Sequence, residues 1–168
     1  MMDMRKIAGA CALGLILAAT TAARAQDAGG TPTQAQPELP RENLTIIGHD
    51  GTKHAFSVEL ALTPRQQQVG EMFRTSVPAD RGMIFVWPYP QQSDMWMENT
   101  LVSLDIVFIG ADNRISAISE NAVPQSLARI SSQGPVRATL ELQGGLTEKL
   151  GIVVGDKVDS KALAASPT

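Results

Sequence analysis

The stretch SDMWMENTLVSLDIVFIG, residues 93–110, decides how the rest of the chain is read. It sets a tryptophan, two methionines and two acids against the apolar run Leu104–Ile109, which only Asp105 interrupts. A half-wet strand alternates in polarity, whereas LDIVFI is apolar on both faces, so it reads as a central strand. Asp105 shares a face with Val107 and Ile109, and an unpaired carboxylate there would cost several kcal/mol. It must be paired, hydrogen-bonded or open onto a pocket. The Asn99-Thr100 amides, Arg74 and Arg81 are candidate partners for a structural acid; a pocket would make Asp105 a ligand-orienting one. Six of the seven aromatics fall between Phe73 and Phe108, so the core and any cleft should form around this segment.

Upstream, Arg5 and Lys6 precede an apolar run over residues 7–19 and the small-x-small triplet Ala23-Arg24-Ala25. This is the pattern of a cleaved secretory signal peptide, too short for a membrane span, and implies a periplasmic or secreted protein cut after Ala25. Cys11 gives only a loose lipobox, because most of the apolar run follows it. Removing Arg5, Lys6, Arg24 and Asp3 from 14 basic and 17 acidic residues leaves 11 and 16, a formal charge of −5. That balance argues against a nucleic-acid partner. The only cysteine leaves with the signal, and with it any disulfide, thiol nucleophile or thiolate metal site.

Residues 26–41, rich in Gly, Pro, Thr, Gln and Ala, read as a flexible leader. Residues 42–160 read as one globular domain and 161–168 as a disordered tail. Asp50-Gly51 signals a hairpin between strands at 44–49 and 52–62. Phe56, Val58 and Leu60 alternate with Ser57 and Glu59, predicting one buried and one wet face. Thr63-Pro64 with Gln66 predicts a capped short helix whose Val69, Met72 and Phe73 point inward. Further strands are expected at 82–87 (closed by Pro88 and Pro90), 94–98, 104–109, 114–120, 136–142 and 152–158, with one helical turn at Leu146–Leu150. Seven or eight short strands and two short helices predict a mainly β, compact antiparallel barrel or sandwich.

Trp96 and Trp87, with Tyr89, are candidates for stacking on a sugar or another flat ligand, with Asp94, Glu98 or Asn99 supplying hydrogen bonds. Met72, Met83, Met95 and Met97 would suit cuprous copper, but methionine fills core gaps far more often than it binds metal. His49 and His54 flank the hairpin turn and fall short of the three or four ligands of a stable metal site. No G-x-S-x-G surrounds any serine. No metal or cofactor is assigned.

The blocks VGEMFR (69–74), RGMIFV (81–86), WMENTLVSLDIVFI (96–109) and LELQGG (140–145), followed by GIVVGDKV, are similar in kind and order to those of the domain of unknown function 192 family, small and often exported bacterial and archaeal proteins. The resemblance spans roughly residues 44–158 and implies a compact, mainly β fold, without naming an activity. Its signature falls on Gly70, Met72, Arg74, Gly82, Met83, Trp96, Met97, Asn99, Thr100, Leu104, Asp105, Glu141 and Gly145. The chain departs from it at Glu71, where leucine is usual, and at Glu98, where lysine is frequent. The reading that follows is a non-catalytic module that binds a small polar ligand or saccharide through Arg74, Trp96, Met97, Asn99, Thr100, Asp105 and Glu141. A hydrolase pairing Asp105 with Glu141 or Glu98, and a purely structural or partner-binding domain, are the alternatives.

Overall fold

β1 (Arg41–Ile47) and β2 (Lys53–Ala61) pair antiparallel around the Asp50-Gly51 turn, where Gly51 takes φ 84°, a left-handed conformation that favours glycine. The computed structural model describes residues 30–164. The signal peptide expected over 1–25, residues 26–29 of the leader and residues 165–168 of the tail lie outside the described residues. After β2, Thr63 caps α1 (Pro64–Val69) through the capping box expected from the sequence: its side chain accepts from the Gln66 amide, and the Gln66 side chain reaches back to the Thr63 amide.

The chain then enters β3 (Arg81–Met95) beside β2, and the pairing is parallel, from Ser57 opposite Arg81 to Ala61 opposite Phe85. This corrects the expectation of an antiparallel sheet. Two parallel strands cannot be joined by a hairpin, so residues 62–80, which carry α1, make a crossover instead. The remaining strands are β4 (Leu104–Ile109), β5 (Ile115–Ala122), β6 (Ile130–Gln143) and β7 (Lys157–Ser160). All seven form one mixed sheet in the order β5-β4-β6-β3-β2-β1-β7, curled into a half-barrel; among the described residues there is no second sheet to make a sandwich. Backbone bonds between Ile115 and residues 155 and 156 tie the start of β5 to the approach to β7.

Two strands are longer than the sequence suggested. Pro88 and Pro90 do not end β3; they sit exposed where its register with β6 shifts between Val86 and Gln91, a position at which no ladder hydrogen bond needs their missing N–H. Of the strand expected at 94–98, only Asp94 and Met95 are strand, as the far end of β3; Trp96 and Met97 lie beyond it and Glu98-Asn99 turn the chain, while β6 begins at Ile130, opposite Met95. The tail and leader also differ from expectation. A third helix, α3 (Lys161–Ala164), puts Leu163 into the core at 1% exposure, and the Ala162 amide donates to Glu42. Gln36 donates to the carbonyls of Gln66 and Gly70, and Leu39 packs on Met83 and Phe85. These residues bury enough surface to hold them against the sheet.

β4 is buried at every position, as expected of a central strand. Its period-two alternation divides the core: Val107 and Ile109 join Leu44, Ile46, Ile84, Leu140 and Leu142, while Leu104, Ile106 and Phe108 join Met97 and Val136. Each fully buried large side chain contributes roughly 1.5–3 kcal/mol. Close packing of β3 on β6 depends on Gly82, where a Cβ would lie 2.4 Å from the Glu141 carbonyl oxygen. Gly82→Ala should therefore destabilise the domain by about 1–3 kcal/mol. A lowered midpoint in urea checks this, and an unchanged one would contradict it.

Candidate functional site

Asp105 lies at 0% exposure, and its carboxylate is fully occupied. Oδ1 accepts the backbone N–H groups of Asn121 and Gly145, and Oδ2 accepts the N–H and the hydroxyl of Thr147, each at 2.8 Å. The partners are neither the Asn99-Thr100 amides nor an arginine. Gly145 begins α2 (Leu146–Leu150) and has no side chain with which to cap it, so Asp105 performs the cap from a different strand. The carboxylate thus ties β4 to β5 and α2, and it faces no cleft. With four donors in place it has no free position from which to act as nucleophile, acid or base.

A different group of acids surrounds the turn after α1. Glu59, placed on the wet face of β2 by its alternation with Phe56 and Val58, is buried. Arg74 grips it with two parallel bonds of 2.7 and 2.8 Å, Arg41 adds a third at 3.0 Å, and the Leu39 amide a fourth at 2.8 Å. Burial pushes the Glu59 carboxyl up, but the Arg74 bonds and the Leu39 amide outweigh it, leaving its pKa below the ordinary value. Glu71 and Glu141 are not compensated in this way. Glu71, 3% exposed, has its Oε2 3.1 Å from Arg74 Nε but makes no hydrogen bond there; burial raises its pKa to about 7 against the pull of Arg74. Glu141, 5% exposed, receives the Glu71 backbone amide and has an unpartnered Oε2; burial first, and the Glu71 charge second, raise it to about 8.

These two acids open onto a cleft of about 230 Å³ between α1 and β3. Its walls include Met72, Phe85, Trp87, Met95, Trp96 and Thr100. The Trp87 and Phe85 rings stand 6.3 Å apart, and the buried Trp87 Nε1 has no acceptor. Trp96 is 47% exposed at the mouth. Three unpartnered buried polar atoms therefore belong to residues lining one cleft, in a fold where such atoms are ordinarily satisfied. A second cleft of about 360 Å³ lies beyond Arg74, but its Arg41 and Arg81 are matched by Glu38 and Glu59.

Residues 45–160 match the model of the DUF192 family, described as an uncharacterized ACR. The chain belongs to this family. No curated protein matches it. The DUF192 fold recurs in a crystal structure from Sinorhizobium meliloti 1021, of a protein described provisionally as a transcription regulator, at 38% identity and TM-score 0.73, covering 76% of this chain and 99% of that one. It recurs again in a protein of unknown function from Novosphingobium aromaticivorans DSM 12444, at 40% identity and TM-score 0.71, covering 79% of this chain and all of the other.

Within this DUF192 domain the residues singled out from the sequence separate. Trp96, Thr100 and Glu141 meet in the cleft. Arg74 stands behind it, between Glu59 and Glu71. Met97 is core, with Met83, and the four methionines do not form one cluster. Asn99 occupies a left-handed turn at φ 56° and holds the chain after α1, its carbonyl accepting the Phe73 N–H. Glu98 is half-buried outside the cleft. Among the described residues, no group of three or more histidine, cysteine or acidic side chains is placed to hold a metal. Glu71 was not singled out for a site, although an acid between Gly70 and the inward-pointing Met72 was the available signal.

Proposed function

We propose that this domain is a binding module for a small polar ligand, exported by its N-terminal signal and seated in the cleft between Glu141, Trp87 and Trp96. The observation that carries the reading is that three buried polar atoms without a hydrogen bond, Glu71 Oε2, Trp87 Nε1 and Glu141 Oε2, belong to residues lining one open, aromatic-walled cleft. Leaving buried polar atoms unpaired costs about 1–3 kcal/mol each, a cost that a ligand with matching groups removes. At about 230 Å³ the cleft is smaller than the roughly 300–1,000 Å³ of pockets that take drug-sized molecules. A single sugar ring or a smaller molecule suits it. The provisional regulator description of the Sinorhizobium neighbour is not carried over, because 17 acids against 14 bases give a net charge of −3, the opposite of the basic balance that DNA binding favours.

A thermal-shift screen against monosaccharides, amino sugars, polyols and small amines tests the proposal. At least one compound should raise the unfolding temperature of the wild-type protein, and Trp96→Ala and Glu141→Gln should each abolish that rise. Stabilisation that survives both substitutions, or none from any compound, would contradict the reading.

A further inference from the structure

The charges around the cleft narrow the ligand class. Three acids, Glu71, Asp94 and Glu141, line it, and no lysine or arginine does. The cations nearest to them are engaged: Arg74 with Glu59 and Glu71, Arg41 with Glu59 and Glu38, and Arg129 with Asp94. The walls are indole, phenyl and thioether groups, whose ring faces attract cations. Glu141 Oε2 accepts no hydrogen bond, Glu71 Oε2 has the Arg74 ion pair but no hydrogen bond, and Trp87 Nε1 lacks an acceptor. Glu71 and Asp94 thus have arginine partners, and a neutral sugar would leave Glu141 without a cation. A simple alkyl amine would leave the Trp87 N–H unmet.

Resting on the cleft reading above, we propose that the ligand is a small primary ammonium with a neighbouring hydroxyl, of the amino-sugar or amino-alcohol class. The ammonium donates to Glu71 and Glu141, the hydroxyl oxygen accepts from Trp87 Nε1, and the carbon face lies against Trp96. The raised carboxyls fit this, since burial favours their protonated forms when the cleft is empty and a bound positive charge would favour their ionised ones.

The test compares D-glucosamine with D-glucose, which differ by one ammonium for one hydroxyl, in phosphate buffer, with ethanolamine as a probe without the ring. The protein has two tryptophans, so the indole N–H resonances of Trp87 and Trp96 in a nitrogen-15 spectrum report the site directly. Glucosamine should bind at least about tenfold more tightly than glucose and move the Trp87 signal saturably. Glu141→Gln should bring it down to the glucose level. If glucose binds as tightly and moves both indoles, the ammonium assignment falls and the cleft reading stands. If glucosamine and ethanolamine both leave the indoles unmoved, the ammonium assignment falls on its own account, and the wider screen decides the cleft.

Discussion

Asp105→Ala should cost the domain on the order of 5 kcal/mol or prevent it from folding, since it strands three backbone N–H groups and leaves the Thr147 hydroxyl with Glu120 as its acceptor. Removing the carboxylate leaves the start of α2 uncapped and unties β5 from β4 at Asn121. Asp105→Asn keeps one carbonyl acceptor but turns an NH2 group towards a donor, so a loss of about 2–4 kcal/mol is expected. Urea unfolding measures both. Folded Asp105→Asn protein should still bind a cleft ligand with wild-type affinity, which separates a structural role from a ligand-holding one. Normal stability for the alanine variant would overturn the assignment of Asp105 as an internal cap.

The second large effect has the opposite sign. Glu141→Gln should stabilise the domain in alkaline solution. In the unfolded chain Glu141 ionises near the ordinary 4.5, but in the folded protein it holds its proton up to about 8. Between those values the folded state binds more protons than the unfolded state, so stability falls as pH rises, by about 1.4 kcal/mol per unit for one proton. Below the lower value the group is protonated in both states and contributes no slope. Glutamine cannot ionise, so the variant has no such slope from this position. The variant should exceed wild type by on the order of 3 kcal/mol above about pH 8 and match it near pH 4. Parallel pH profiles for the two proteins would refute the uncompensated burial of Glu141.

The local elements were legible where one short-range rule decides them. Thr63-Pro64-x-Gln66 could only be a capped helix start, and the run around Asp105 could only be a buried strand. Non-local pairings were not legible. The parallel β2–β3 pair depends on where the crossover at 62–80 returns, which no local pattern states. Pro88 and Pro90 looked like a strand end because a bulge has no sequence signature beyond the prolines themselves. Asp105 stood out correctly as an anomaly, yet three of its four donors are main-chain amides 16 to 42 residues away, invisible to any reading of side chains. The site itself was half visible. Trp96, Thr100 and Glu141 were named, but Glu59 was placed in water because its alternation is that of a wet face, and only the fold brings Arg74 and Arg41 to bury it.

Carbon-13 titration of glutamate carboxyls tests the central claim most directly, because it reads the cleft without requiring its ligand to be known. The account predicts two glutamates that titrate far above the rest, near 7 and near 8, assigned by their loss in Glu71→Gln and Glu141→Gln. A protein in which every glutamate titrates in the ordinary range would show the pair to be satisfied already, and the cleft to have no unmet demand for a ligand.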